Sequence, residues 1–246
     1  MSVTKILTAA SLLAASQLTL AAEPITGEAE LGFVSTTGNT ETTSVKAKVS
    51  VTQDLDNWKN TYLLDTLFKE EEVVINGNKQ NQTSAERYFA SAQGDYKLNE
   101  DHSALFVYGS YEDDRFSGYE YQSSIAAGYA DQMFSDETSF LNYNVGPGYF
   151  FSEQNDGETT DGAILRLALD YQLSLSETAK FKQALSSEIA FESEDNTKTR
   201  SETSISASLM GNLSIKASYN IIHNTEVPAG NDDVDTTTSV SVLYIF

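Results

Sequence analysis

Apolar and polar side chains alternate along most of the chain after its first 25 residues. In the last segment, every second residue counting back from Phe246 is apolar or aromatic, and most residues between them are serine or threonine. A repeat of two places successive side chains on opposite faces of a β-strand. A strand at the end of a chain leaves an open edge unless it is paired. Pairing with the first strand closes a barrel.

The same alternation recurs in eleven earlier segments, so the sequence predicts twelve strands. Most of them are long enough for a tilted strand to cross a bilayer, which takes roughly 9–11 residues. Twelve is an even number within the range of single-chain bacterial barrels. The fifth segment is apolar on both faces, so its orientation is ambiguous. The predicted strands cover about 27–34, 43–52, 58–68, 87–98, 102–112, 121–129, 141–149, 165–172, 180–191, 204–209, 213–221 and 235–246.

The connections between these strands alternate in length. Those after even-numbered strands are short, and most of those after odd-numbered strands are longer and more acidic, as at 69–82 and 225–234. Many aromatic residues fall near strand ends, as they do in interfacial girdles. The sequence therefore predicts an all-β protein, a single closed antiparallel transmembrane β-barrel of about twelve strands with short periplasmic turns and longer extracellular loops. A soluble β-sandwich is the alternative. Pro147 lies inside a predicted strand and indicates a bulge or an early strand end.

The first 22 residues have the pattern of a secretory signal peptide. Lys5 precedes a short apolar run, and Ala21 and Ala22 precede Glu23. We therefore predict a signal peptide at 1–22 and one barrel domain at 23–246, exported to the outer membrane. The chain contains no cysteine, so disulfide and thiol chemistry are excluded.

The chain is strongly acidic, with a formal net charge of −21. Nucleic-acid binding requires Lys and Arg concentrated on one surface, so this composition argues against it. Acidic loops at 152–161 and 232–235 could bridge divalent cations to lipopolysaccharide phosphates, but neither has the spacing of a calcium loop. Solvated loops are the simpler interpretation, and the sequence predicts no metal site and no cofactor.

Several motifs resemble those of the salt-induced outer-membrane proteins. The resemblance covers essentially the whole mature chain and implies an outer-membrane barrel of Gram-negative bacteria, linked by the family's name to salt. It implies no activity. The motifs begin at Leu31 (LGFVSTTGNT), Ala85 (AERY), Tyr111 (YEDDRFSGYEY), Gly146 (GPGY), Ala163 (AILRL), Arg200 (RSET) and His223 (HNTEVPAG).

Charged residues of both signs alternate with the apolar residues of the predicted strands. On a membrane barrel the apolar face contacts lipid, so these charges are expected to face inward. They either neutralise each other and fill the lumen or line a water-filled path. The lumen-lining candidates are Lys46, Lys48, Lys59, Asp65, Arg87, Asp95, Arg166, Asp170, Lys182, Glu188 and Lys216.

Three functions fit this pattern. The first is a narrow pore or permeability barrel of the cell envelope, linked to salt or osmotic stress. The second is a non-conducting envelope barrel that contacts outer-membrane lipid, lipopolysaccharide or partners through its acidic loops. The third is a lipid hydrolase using His223, although no Gly-x-Ser-x-Gly motif is present, and we predict no enzyme activity. The aromatic Phe246 resembles the signal read by the outer-membrane barrel assembly machinery, which is therefore an expected partner.

Overall fold

The protein is a closed barrel of twelve antiparallel strands, each paired with its neighbours in sequence, and β1 pairs with β12. The computed structural model describes residues 25–36, 42–75, 78–98, 102–114, 117–192, 195–228 and 230–246. The predicted signal peptide therefore lies outside the described residues, whereas the predicted fold class is confirmed. The strands are β1 (Ile25–Thr36), β2 (Thr42–Asp54), β3 (Trp58–Ile75), β4 (Asn78–Lys97), β5 (Ala104–Asp114), β6 (Tyr119–Ser135), β7 (Ser139–Gln154), β8 (Thr159–Ser174), β9 (Ala179–Ala190), β10 (Lys198–Met210), β11 (Leu213–Asn224) and β12 (Val234–Ile245).

The two ends of the barrel differ less in loop length than the sequence predicts. We call the end carrying the connections after even-numbered strands the turn side, and the opposite end the loop side. The long loop predicted at 69–82 is mostly strand, because β3 and β4 continue as a paired hairpin to Ile75 and Asn78. Conversely, six residues separate β4 from β5 on the turn side. The difference between the two ends of the barrel therefore lies partly in β3 and β4, which extend beyond the other strands on the loop side.

The outward face of the wall is apolar. Leu31, Tyr62, Val107 and Ile215 are among the many large apolar side chains exposed there. A soluble monomer rarely exposes so continuous an apolar surface, whereas a barrel in a bilayer requires it. Within the described residues, no helix has the length and apolar character needed to span a membrane.

Aromatic side chains form two outward-facing belts. Near the turn side, the rings of Trp58 and Tyr96 lie 5.4 Å apart, and those of Tyr244 and Phe246 lie 6.2 Å apart. Near the loop side, the rings of Tyr149 and Phe151 lie 5.2 Å apart. Rings that carry a polar group are enriched at the two interfaces of a membrane.

The structure settles the orientation of β5, which the sequence left ambiguous. Phe106 is 1% exposed and faces the interior with Tyr108, whereas Leu105 and Val107 face outward. Phe106, Tyr108 and Ala126 form a small apolar cluster inside the barrel. Glu112, on the same face of β5, is thereby directed into the lumen.

The expectation of a bulge or strand end at Pro147 is wrong. The strand β7 continues through this residue, and the register with β6 is the same on either side of it. Pro147 remains paired with Leu165 of β8. Beside it, Gly146 of β7 and Gly128 of β6 lie so close that a Cβ on either one would collide with the backbone of the facing strand. The absent side chains allow the strands to stay together where the proline interrupts the ladder.

The β6–β7 turn is organised by one carboxylate. Asp136 accepts hydrogen bonds from the backbone N–H groups of Thr138 and Ser139, both at 2.8 Å, and from their hydroxyls at 2.9 and 2.8 Å. These bonds, led by the one from the Thr138 backbone, favour the ionised form and lower the pKa of Asp136 from 3.8 to about 2.

We therefore expect Asp136 to titrate near pH 2 in a carboxyl-carbon NMR titration of the refolded barrel. Because the folded-state pKa is depressed, the contribution of this turn to stability is complete above pH 3.8 and is lost as the pH falls through about 2. A Thr138→Ala/Ser139→Ala variant keeps both backbone donors and should move the midpoint only part of the way back. A midpoint near 3.8 in the unaltered protein contradicts this account.

Candidate functional site: the charged interior of the barrel

All eleven of the charged residues selected from the sequence lie on the interior face of the wall, opposite the apolar outward positions. The structure divides them between ion-paired groups in the middle of the barrel and a more open set near the turn side. Whether they line a continuous water path remains a prediction.

The first group is a five-charge network made by Glu30, Lys46, Lys48, Glu202 and Lys216. The Lys216 ammonium lies 2.8 Å from Glu30 and 2.7 Å from Glu202. Lys48 bridges to Glu202 at 2.6 Å, and Lys46 lies 3.6 Å from Glu30. Three strands separate β2 from β10 on the shorter path, so the Lys48–Glu202 bridge crosses the interior rather than following the wall.

The second group is the Glu112 cluster, which consists of Glu112, Gln122, Lys198 and Arg200. One carboxylate oxygen of Glu112 accepts hydrogen bonds from both Lys198 and Arg200, and Lys198 also donates to Gln122. Glu112 is on β5 and both cations are on β10, with four strands between them on the shorter path. This ion pair therefore spans nearly the full width of the lumen. The Glu112 and Lys198 side chains are 3% and 8% exposed, so little water reaches this point.

Two further ion pairs lie in the middle of the barrel, and with the two groups above they form what we call the ion-pair layer. Arg166 bridges to Glu188 at 3.1 Å, and its guanidinium carbon lies 3.5 Å from the ring centre of Tyr108. On the opposite wall Arg87 bridges to Asp65 at 2.8 Å. Together with the interior apolar cluster, these pairs occupy part of the middle of the barrel.

The interior near the turn side is more open. Lys59 and Asp170 face inward but are exposed to solvent, and Lys59 lies opposite Asp95 in the β3–β4 register. Lys182 reaches across to Glu28 at 2.5 Å, and both side chains are more than one-third exposed. Charges at this end are therefore hydrated, whereas those in the middle are paired and more deeply buried.

Sequence reasoning missed six of the charges that complete these groups. Glu28 and Glu30 alternate with outward-facing Ala29 and Leu31, so the period of two was sufficient to find them. Glu112 was missed because β5 is apolar on both faces. The other three precede the segment predicted for strand ten, because β10 begins six residues earlier in the structure. They are Lys198, Arg200 and Glu202.

The hydrolase alternative gains no support from the structure. His223 lies on β11 opposite Thr199 and Val234, and the Thr199 hydroxyl is 2.9 Å from that of Ser187. In the described ranges, no three histidine or acidic side chains converge as a metal site requires.

Comparisons with known proteins agree with this architecture. Residues 29–246 match a family described as "Protein of unknown function, DUF481". The "Uncharacterized protein YdiY" of Escherichia coli (strain K12) is 25% identical over 225 residues, which cover 91% of this chain and 84% of YdiY.

Among solved structures, the "Translocator domain of autotransporter NalP from Neisseria meningitidis" has a TM-score of 0.50 and 12% identity, covering 99% of this chain and 96% of that one. The NanC porin has a TM-score of 0.49 and 9% identity, covering 91% of this chain and 100% of that one. At these identities the likeness to NalP concerns the fold alone.

Proposed function

The chain belongs to the family described as "Protein of unknown function, DUF481", and on that premise we propose that it is an outer-membrane permeability barrel. Its lumen is closed at rest by ion pairs and admits small ions or solutes when those pairs separate. The apolar outward face and the two aromatic belts support insertion in a membrane. Twelve strands enclose a lumen between those of small plugged barrels and wide porins.

The observation that carries this proposal is the set of ion pairs that cross the lumen between non-neighbouring strands. A barrel built only to be rigid can fill its interior with apolar side chains, since paired buried charges add little net stability. Charges that are held by each other can exchange partners with passing ions and water. The hydrated residues Lys59 and Asp170 on the turn side form an entrance to the ion-pair layer.

The different burial of the bridges supports a proposed link to salt. Lys48 and Glu202 are 23% and 17% exposed, whereas Glu30 is only 2% exposed. Raising KCl from about 0.1 M to about 1 M shortens the Debye length from about 10 Å to about 3 Å, which weakens partly exposed pairs most. We propose that high ionic strength opens the lumen by loosening the Lys48–Glu202 side of the five-charge network.

The test is conductance of refolded residues 23–246 in a planar bilayer. We expect infrequent unitary steps at low salt and an open probability that rises several-fold at high salt. Glu202→Gln removes the negative charge that Lys48 and Lys216 share and should raise the open probability at low salt. Asp170→Asn is the matched control, because this exposed carboxylate should affect ion selectivity without affecting opening.

A flat baseline from both the unaltered barrel and Glu202→Gln, at every salt concentration, overturns the proposal. Such a baseline favours the second candidate function, a non-conducting envelope barrel. The specific observation behind that candidate is the Glu112 cluster, which occupies the lumen with little exposure to water.

A further inference from the structure

The seam that closes the barrel is paired over only part of its length. Strands β1 and β12 are in register at five positions, from Glu28 opposite Ile245 to Gly32 opposite Ser241. Gly27 and Phe246 extend this seam by exchanging two backbone hydrogen bonds at 2.7 and 2.9 Å. In contrast, β1 pairs with β2 at twelve positions and β12 pairs with β11 at eleven.

On the loop side of Gly32, β1 and β12 continue but are no longer paired with each other. Residues 33–36 remain paired with β2, and residues 234–240 remain paired with β11. In the described part of both strands, their facing edges form no ladder beyond Gly32 and Ser241. The wall of the barrel therefore contains a lateral gap, which we call the side portal and which is flanked by residues 33–36 and 237–240.

A cavity of about 400 Å³ lies behind this gap. It is lined both by residues flanking the side portal, such as Phe33 and Val240, and by interior residues. Lys46 and Arg87, which bridge to Glu30 and Asp65, contribute to the lining nearest the ion-pair layer. The cavity thus joins the portal to the interior and borders the ion pairs of the lumen.

Two polar groups of this lining lack a partner in the protein. Arg87 Nε and Ser84 Oγ are buried without a hydrogen bond to any described residue. Ser84 is the extra residue of a bulge, because Lys69 pairs with Ala85 and the next residue of β3 pairs with Thr83. A bulge redirects a side chain, and here Ser84 joins Arg87 in the lining of the cavity. Both groups are covered by protein atoms in this structure, and they can donate to the oxygen of an incoming anion once the side chains over them move aside.

The charge and shape of the cavity suit an amphiphile rather than a free ion. Its ionisable lining residues are three cations and two carboxylates, in a chain whose formal charge is −21. Serines, threonines and Asn220 provide hydroxyl and amide partners for a sugar. Outside, Phe33 and Val240 are 64% and 53% exposed beside the portal and offer an apolar surface to acyl chains. The three cations are Lys46, Lys69 and Arg87, and the two carboxylates are Asp114 and Asp235.

We propose that this cavity binds the phosphorylated sugar headgroup of an outer-leaflet glycolipid, which enters between β1 and β12 while its acyl chains remain outside the wall. A phosphate oxygen accepts hydrogen bonds from Arg87 Nε and Ser84 Oγ. The inference rests on the membrane location proposed above, but not on conductance.

The test is native mass spectrometry of the refolded barrel in detergent with phosphorylated lipid A as the probe. Lipid A with its phosphates removed is the matched ligand, and inorganic phosphate is the competitor. We expect one phosphorylated lipid per barrel, binding at least tenfold weaker without the phosphates, and no displacement by millimolar phosphate. Ser84→Ala and Arg87→Lys each remove one of the two donors, and both variants keep a positive charge beside Asp65. Each substitution should weaken binding about tenfold.

The portal is tested separately with cysteine pairs, since the chain contains no cysteine of its own. A disulfide between Phe33→Cys and Val240→Cys should abolish lipid binding, and reduction should restore it. If the disulfide does not form and the barrel still binds lipid, the two strand edges are too far apart to be bridged, which also supports the gap. The control is Leu31→Cys/Val242→Cys, which links positions already paired and should bind lipid in both redox states.

Equal binding of dephosphorylated lipid A, displacement by inorganic phosphate, or full binding to the Phe33–Val240 disulfide form each overturns the proposal. These outcomes are independent of the conductance result, because a barrel that binds lipid need not conduct. A chain that does not fold in micelles or bilayers contradicts both proposals together, and the heat-modified mobility of the folded barrel in gels identifies that case.

Discussion

Replacing Glu112 by glutamine is expected to lower the free energy of unfolding of the barrel by about 3–5 kcal/mol. The substitution keeps the size of the side chain but leaves Lys198 and Arg200 without the carboxylate that both contact. Glu112 and Lys198 are nearly excluded from water, so solvent cannot replace the lost partner. The loss is measured by equilibrium urea unfolding of the refolded protein in lipid vesicles.

Glu28→Gln is the matched control for this experiment. Glu28 also pairs across the interior, with Lys182, but both side chains are more than one-third exposed. An exposed pair contributes about 0–1 kcal/mol, so this variant should unfold almost as the unaltered protein does. Replacing Glu112, Lys198 and Arg200 together by apolar residues should recover most of the stability. Equal losses for Glu28→Gln and Glu112→Gln contradict a dry pair in the middle of the lumen.

Proline at Val242 is expected to prevent most molecules from closing into a barrel. Gly27 and Phe246 exchange both backbone hydrogen bonds, whereas Ile245 N–H donates to Asn212 on the β11 side. Because directions alternate along a strand, the N–H of Val242 faces Leu31 of β1. Proline removes this donor and leaves the Leu31 carbonyl unpaired in the hydrocarbon layer, at a cost of several kcal/mol.

Val240→Pro provides a control on the same strand and edge. Its N–H has the same direction, but the β1–β12 ladder ends at Gly32 and Ser241, so no hydrogen bond of the seam is lost. Refolding yield, measured by the heat-modified mobility of the barrel in gels, should fall at least about tenfold for Val242→Pro and far less for Val240→Pro. Equal defects would mean that the seam is paired beyond Gly32, which removes the side portal.

The hairpin of β3 and β4 has a clear signal in the sequence, although the acidic composition of 69–82 predicts a loop there. Val73, Val74 and Ile75 are strand-forming residues, and the dipeptide between the two strands is Asn76-Gly77. Asn-Gly between two runs is the strongest local signal for a two-residue hairpin connection. Acidic residues before the run obscured this signal, because they suggested a solvated loop.

The orientation of β5 illustrates a limit that no closer inspection of the sequence removes. Phe106 and Val107 are both apolar, so alternation alone does not determine which of them faces lipid. In the barrel, Phe106 packs with Tyr108 and Ala126, and this choice directs Glu112 toward β10. A local pattern cannot report a preference that arises from packing against another strand.

The sequence by itself determined the number of strands, the closed antiparallel architecture and the inward direction of most charged residues. These properties follow from the period of two and from the need to pair every strand edge, both of which are local. Only the tertiary structure decided which charges meet. The partners of Glu112 and Lys48 are more than 80 and 150 residues away, on strands that become opposite only when the barrel closes. The short β1–β12 seam is likewise a property of closure, because it depends on where twelve tilted strands bring the first and last into register.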